Sequence, residues 1–235
     1  MRLHALPQGF FDPSAGIVAP LLLGHWLIRN TPRGPCGGPI VETEAYLADD
    51  PACHAYGGQT DRNQVMFGAQ GRAYVYLIYG CHFCVNAVCR PPGQAEAVLI
   101  RAIEPVVGTD LMQHNRPVKV LRHLTNGPAK LCAALGINRK LDGVNLCDRE
   151  SPLFIGANPA VREFHETRGP IATATRVGIS KAAELPLRFY LAQSRFVSRK
   201  TGEPGRRNSR TPSAASRAGT SQRDVPPETE RESRP

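Results

Sequence analysis

Across residues 39–46 apolar and polar positions alternate with the two-residue period of a strand. Ile40, Glu42, Glu44 and Tyr46 fall on one face, Val41, Thr43 and Ala45 on the other. Residues 25–29 read as the partner strand, and the Gly- and Pro-rich residues 30–38 predict a hairpin with a broad loop. A second hairpin is predicted from residues 73–79, the turn at Gly80 and the β-rich run that follows. Residues 95–103, apolar on both faces, predict a buried strand ended by Glu104-Pro105. Asp12-Pro13 offers a helix start and Gly24 a stop, although Pro20 interrupts that span. Residues 126–136 carry helix signals at both ends, with Pro128 early and Gly136 after the last good helix former. Two short late strands are expected at residues 176–180 and 187–191. Residues 47–71 lack either period and predict an irregular connection of a length that is usually functional or disordered. From Ser198 the chain has almost no apolar residue to offset its entropy, which divides it into a domain of residues 1–197 and a disordered basic tail, 198–235.

Composition adds a sign to this picture. The 235 residues carry a formal charge of +9; the tail holds nine Lys/Arg against five Asp/Glu, a net +4, so the rest is itself basic at +5. Such a surface attracts polyanions, nucleic acid or acidic membrane. The N-terminus shows no charged segment followed by a long apolar run, and no apolar stretch approaches the ~20 residues that span a bilayer. The expectation is a soluble cytoplasmic protein, nucleoid-associated in a bacterium. Seven irregularly spaced cysteines without a leader predict reduced thiols. Cys81 and Cys84 form a lone C-x-x-C inside an apolar run, to be read as buried strand cysteines or, alternatively, as a zinc or redox pair.

Glu42 and Glu44 lie about 6.5 to 7 Å apart on one strand face, a spacing compatible with an acid and a base acting through water. Two solvated glutamates on an exposed face give the same pattern. Arg101 shares a face with Ala97, Leu99 and Ile103 in the buried strand, so its guanidinium needs an anionic partner, which Glu42 or Glu44 could supply. The arginine would hold that carboxylate ionised, as a general base must be, and a structural ion pair would read identically. Tyr76 lies within its strand, as core or as a surface for stacking. Tyr79 stands before Gly80 at the hairpin tip, where a ring cannot easily be core and could act as a wedge in a base stack. His54 is a lone loop histidine. Gly127-Pro128-x-Lys130 combines a helix start with an ammonium, a phosphate site or an ordinary helix initiation.

Several longer motifs occur together: Ile40-Val41-Glu42-Thr43-Glu44-Ala45-Tyr46, Ala52-Cys53-His54-Ala55-Tyr56, Arg62-Asn63-Gln64-Val65-Met66-Phe67, residues 74–86, Val98-Leu99-Ile100-Arg101-Ala102-Ile103-Glu104-Pro105, Gly127-Pro128-Ala129-Lys130-Leu131-Cys132, Arg176-Val177-Gly178 and Pro186-Leu187-Arg188-Phe189-Tyr190. In this order, over about residues 22–198, the chain resembles the alkyladenine (3-methyladenine) DNA glycosylase family. The resemblance implies an α+β fold, a single mixed domain around a curved antiparallel β-sheet with peripheral helices, and no cofactor or metal. It implies a monofunctional N-glycosyl hydrolase of base excision repair acting, as a monomer, on double-stranded DNA that contains damaged purines. Glu44 would be the general base, with Arg101 and the His54 region positioning it and its water. Tyr46, His54 and Tyr76 would enclose the flipped base, Asn86 would crowd the exocyclic amine of guanine, and Tyr79 would intercalate. Gly127, Lys130, Arg62 and Arg176 would meet the DNA backbone. On the residues alone, a non-catalytic module that senses distorted duplex remains a competing reading.

Overall fold

The first helix, α1 (Ala15–Leu21), starts at Ser14 rather than Asp12, because the Ser14 side chain accepts the Gly16 N–H and satisfies a donor that the helix leaves open. The structure is a computed structural model that describes residues 3–198, all within one compact unit. Of the tail expected from Ser198 onward, only Ser198 is among the described residues, and it is bonded to Glu42; residues 199–235 lie outside them. After α1 come β1 (Trp26–Arg29), β2 (Cys36–Tyr46), β3 (Ala73–Ile78), β4 (His82–Cys89) and β5 (Glu96–Ile103). Then follow α2 (Thr109–Asn115), α3 (Pro128–Leu135), β6 (Leu153–Gly156), α4 (Val161–Arg168), β7 (Ile171–Ala174) and β8 (Arg188–Leu191).

Neighbouring strands run in the order β3-β4-β5-β2-β1-β6, with β8 pairing both β2 and β7, and every pairing is antiparallel. β2 pairs β1 along its first residues, then carries β5 on one side and β8 on the other. Register shifts around Glu42 mark a bulge, which increases local twist and helps curl the sheet. The outcome is the curved antiparallel sheet with peripheral helices that the resemblance implies. Leu22, Leu27, Ile40, Ile100, Ile103, Leu131 and Leu135 lie in one buried cluster that joins α1 and α3 to the sheet.

Three differences from the sequence reading have local causes. β2 begins at Cys36, so Gly37 and Gly38 are strand rather than turn. A Cβ on Gly37 would lie 2.0 Å from the Leu27 carbonyl oxygen and one on Gly38 1.8 Å from that of Glu104, so these glycines permit close backbone packing. The late strand expected at residues 176–180 is instead a loop, with Gly178 left-handed at φ 81°, and β8 pairs with β7, residues 171–174. The short α2 and β6, and α4, which has no fully buried residue and packs Phe164 against the core, carried too little periodicity to be read. No described helix is long and apolar enough to cross a membrane. All seven cysteines are free; Cys84 is buried, whereas Cys81 is exposed in the β3–β4 turn, which corrects the reading of both as buried strand residues.

Candidate active site

Both β2 glutamates are buried completely, which removes the solvated-face alternative. A buried carboxylate needs donors, and the two find different ones. Glu42 accepts Arg101 Nε at 3.0 Å, Arg188 Nη1 at 3.1 Å, and both the Ser198 backbone N–H at 2.6 Å and its hydroxyl at 2.8 Å. Glu44 takes Arg101 Nη1 at 3.0 Å and the Tyr46 hydroxyl at 3.0 Å on Oε2, and the Val177 N–H at 2.8 Å on Oε1. Arg101 thus bridges both acids, rather than choosing one. Burial alone would lower its pKa, but Glu44 and then Glu42 outweigh that and raise it, so the guanidinium stays charged. Among the described residues the groups that hold Glu44 are therefore Arg101, Tyr46 and Val177, whereas His54 bonds Tyr74.

Above this group opens a cavity of about 190 Å³ lined by residues that include Tyr46, His54, Tyr74, Tyr76, Asn86 and Ile179. That is below the ~300 to 1,000 Å³ of drug-sized sites and suits one small ring system. The β3 alternation sends Tyr74 and Tyr76 to the same face, their rings stacked at 5.3 Å and 28°. His54 packs edge-on to Tyr76 at 4.5 Å, and its Nδ1 meets the Tyr74 hydroxyl at 2.9 Å. Desolvation by its neighbours and then the Arg62 charge lower the His54 pKa below its ordinary 6.5, so the ring is neutral at pH 7. Burial pushes the Tyr74 phenol up to about 12. Asn86, opposite Tyr74 across the β3–β4 pair, donates to the Tyr74 carbonyl at 3.1 Å, and this pins its amide at the cavity wall.

Tyr79 projects from the hairpin tip with 80% of its surface exposed. Its φ of 53°, followed by 72° at Gly80, gives the doubly left-handed turn that suits the twist of a tight hairpin, although a tyrosine rarely adopts it.

The four phosphate candidates fare unequally. Arg62 is exposed, its guanidinium 5.6 Å from the Tyr76 ring centroid. Lys130 is half-buried and donates to Asn126 Oδ1 at 2.9 Å. Gly127 is buried and its N–H is already bonded to the Thr125 carbonyl at 3.0 Å, so it offers nothing to a phosphate. Arg176 is a correction of the same kind: its side chain is fully buried and paired with Asp50, withdrawn from any surface that DNA could reach. Sequence reasoning missed Tyr74, whose shared face with Tyr76 was there to be read. It also missed Val177, which acts through a backbone N–H and leaves no side-chain signal.

Fold and cavity together define an α+β protein that presents a ring-sized aromatic chamber beside a buried carboxylate–arginine group. A family model described as methylpurine-DNA glycosylase (MPG) matches residues 9–195. A protein of Methanoculleus marisnigri named "Putative 3-methyladenine DNA glycosylase" is 50% identical over 195 residues, 83% of this chain and 99% of the relative. Proteins with the same name from Carboxydothermus hydrogenoformans and Nitrosospira multiformis are 46% and 45% identical, covering 83% and 84% of this chain and 99% and 96% of their own lengths. The chain belongs to the methylpurine-DNA glycosylase family, and its field of action is DNA repair.

Proposed function

We propose that this protein is a monofunctional DNA glycosylase that extrudes an alkylated or deaminated purine from duplex DNA and hydrolyses its N-glycosidic bond with a water activated by Glu44. The observation that carries the reading is the buried Glu44–Arg101 ion pair, joined through the Tyr46 hydroxyl to the wall of the aromatic cavity. Tyr79 enters the duplex and occupies the gap, at an extrusion cost of a few kcal/mol that is smallest for a poorly paired base. The base then sits among Tyr46, His54 and Tyr76, with Asn86 crowding the exocyclic amine of guanine. Exposed Arg62, its guanidinium over the Tyr76 ring, meets the DNA backbone.

In the chemical step the water oxygen bonds to the anomeric carbon, the bond to the base nitrogen breaks, and the water proton passes to Glu44. A cationic alkylated purine leaves with the bonding electrons as a neutral base, so it departs more readily than a normal one. The product is an abasic site, with no strand cleavage. Glu44 Oε1 accepts only Val177 among the described residues and keeps an acceptor position for the water. Arg101 holds the carboxylate in its charged form and fixes its orientation.

Complete burial of Glu44 under the Tyr46 hydroxyl favours one competitor, a module that binds distorted duplex without cutting any bond. Single-turnover release of alkylated purine from duplex DNA separates the two. The glycosylase reading expects release by the wild type and a fall of about 10²- to 10⁴-fold in Glu44→Gln with lesion binding retained. Salt-dependent binding without release of any lesion base would select the competitor.

A further inference from the structure

The mechanism above leaves one buried charge pair unused. Arg176 and Asp50 lie 126 residues apart in the chain and meet fork to fork: Nη2 is 3.0 Å from Oδ1, and Nη1 bonds Oδ2. Nη1 also donates to the Ala45 carbonyl at 3.1 Å and Nη2 to that of Ala182 at 3.2 Å. Both side chains are shut off from solvent.

This pair ties together the two sides of the cavity. Asp50 Oδ1 accepts the Ala52 N–H at 2.9 Å, and Ala52 and His54 line one side. Directly after Arg176, Val177 delivers its N–H to Glu44, and Gly178 and Ile179 line the other side. Between them stands Tyr46, with the Arg176 guanidinium 4.7 Å from its ring centroid. Arg176 does not line the cavity and is fully buried, so it covers the ring face turned away from the base. A cation on one face of an aromatic ring draws π density toward itself and weakens the attraction of the opposite face for a second cation. A buried ion pair is also weak support for stability, since apolar residues of similar volume often do as well.

We propose that Asp50 and Arg176 form a positioning pair that clamps the His54 loop to residues 177–179 and sets how strongly the Tyr46 wall prefers cationic over neutral bases. Arg176 acts through Tyr46 and Val177, without touching the base. The proposal rests on the glycosylase reading above.

The test uses the full chain and duplex DNA carrying either 7-methylguanine, which is cationic, or hypoxanthine, which is neutral. Single-turnover rates and half-saturating enzyme concentrations are measured for wild type, Arg176→Lys and Asp50→Asn/Arg176→Met. Without the guanidinium, the double variant should move the rate ratio toward 7-methylguanine by about three- to tenfold. Lysine keeps a cation at the ring but not the fork, so it should slow both substrates by about tenfold and leave their ratio within about twofold. A double variant with the wild-type ratio, or a lysine variant with wild-type rates, would overturn the proposal. If the double variant does not fold, as judged by circular dichroism, the lysine rates decide. A wild type that releases neither base would sink the glycosylase reading instead, so the two failures are distinguishable.

Discussion

The Tyr46 hydroxyl donates to Glu44 Oε2 at 3.0 Å, so the ring that walls the cavity also covers the carboxylate beneath it. Burial, and after it the Glu44 charge, push the Tyr46 phenol well above its ordinary value, which keeps it a donor at any working pH. Tyr46→Phe preserves the wall but leaves a buried carboxylate short of one partner. The expected loss is about 1 to 3 kcal/mol of folding stability, measured by urea denaturation. An unchanged midpoint and slope would mean that the hydroxyl does nothing to hold Glu44.

Glu42 and Glu44 share Arg101 but not their other partners, and their substitutions should separate. Glu42→Gln removes the charge that Arg101 and Arg188 both face, with an expected loss of about 3 to 5 kcal/mol in stability. Below its melting transition the variant should release base within about tenfold of the wild-type rate, against the far larger loss expected at Glu44. A Glu42→Gln protein that is fully folded and inactive would contradict this division of roles.

Tyr79 is exposed and lies at a turn, so Tyr79→Ser should alter stability by less than about 0.5 kcal/mol. Its loss should appear in binding. Affinity for a lesion in duplex is expected to fall by about 5- to 100-fold, the range of one base–aromatic stack, with release from a single-stranded substrate little changed. Equal losses on both substrates would speak against a wedge.

Histidine titration provides a pH signature. The pKa of His54 is lowered by desolvation and then Arg62, and that of His25 by desolvation and then His165. Each group therefore binds its proton more readily in the unfolded chain. Their stabilisation is fully present above the ordinary value of 6.5 and declines as pH falls through the lowered folded values. Urea denaturation between pH 7.5 and 5 should show His54→Gln losing less stability than wild type over that window. Parallel curves would show that His54 is not held neutral.

Much of the architecture was legible because it is local. Alternation in residues 39–46 and 73–79 put Glu44, Tyr46 and Tyr76 on usable faces, and Gly80 placed Tyr79 at a tip, before any long-range packing was known. Arg101 announced itself as a charge in a buried strand that must find an acid. The period of a strand fixes a residue's face but not the distant chain that will pack against that face. Glu42 and Glu44 looked equivalent for this reason. Only the fold brought Ser198 and Arg188 to one and the Val177 N–H to the other. The same limit misassigned Arg176, which the resemblance set at the DNA backbone and the fold buried against Asp50, and Gly127, whose N–H was taken up by Thr125. Sequence by itself determined most strands of the curved sheet, the helices α1 and α3, the family and the candidate residues for chemistry. Tertiary structure decided which of those residues are partners, because a desolvated charge is held by whatever distant donor the packed chain delivers to it.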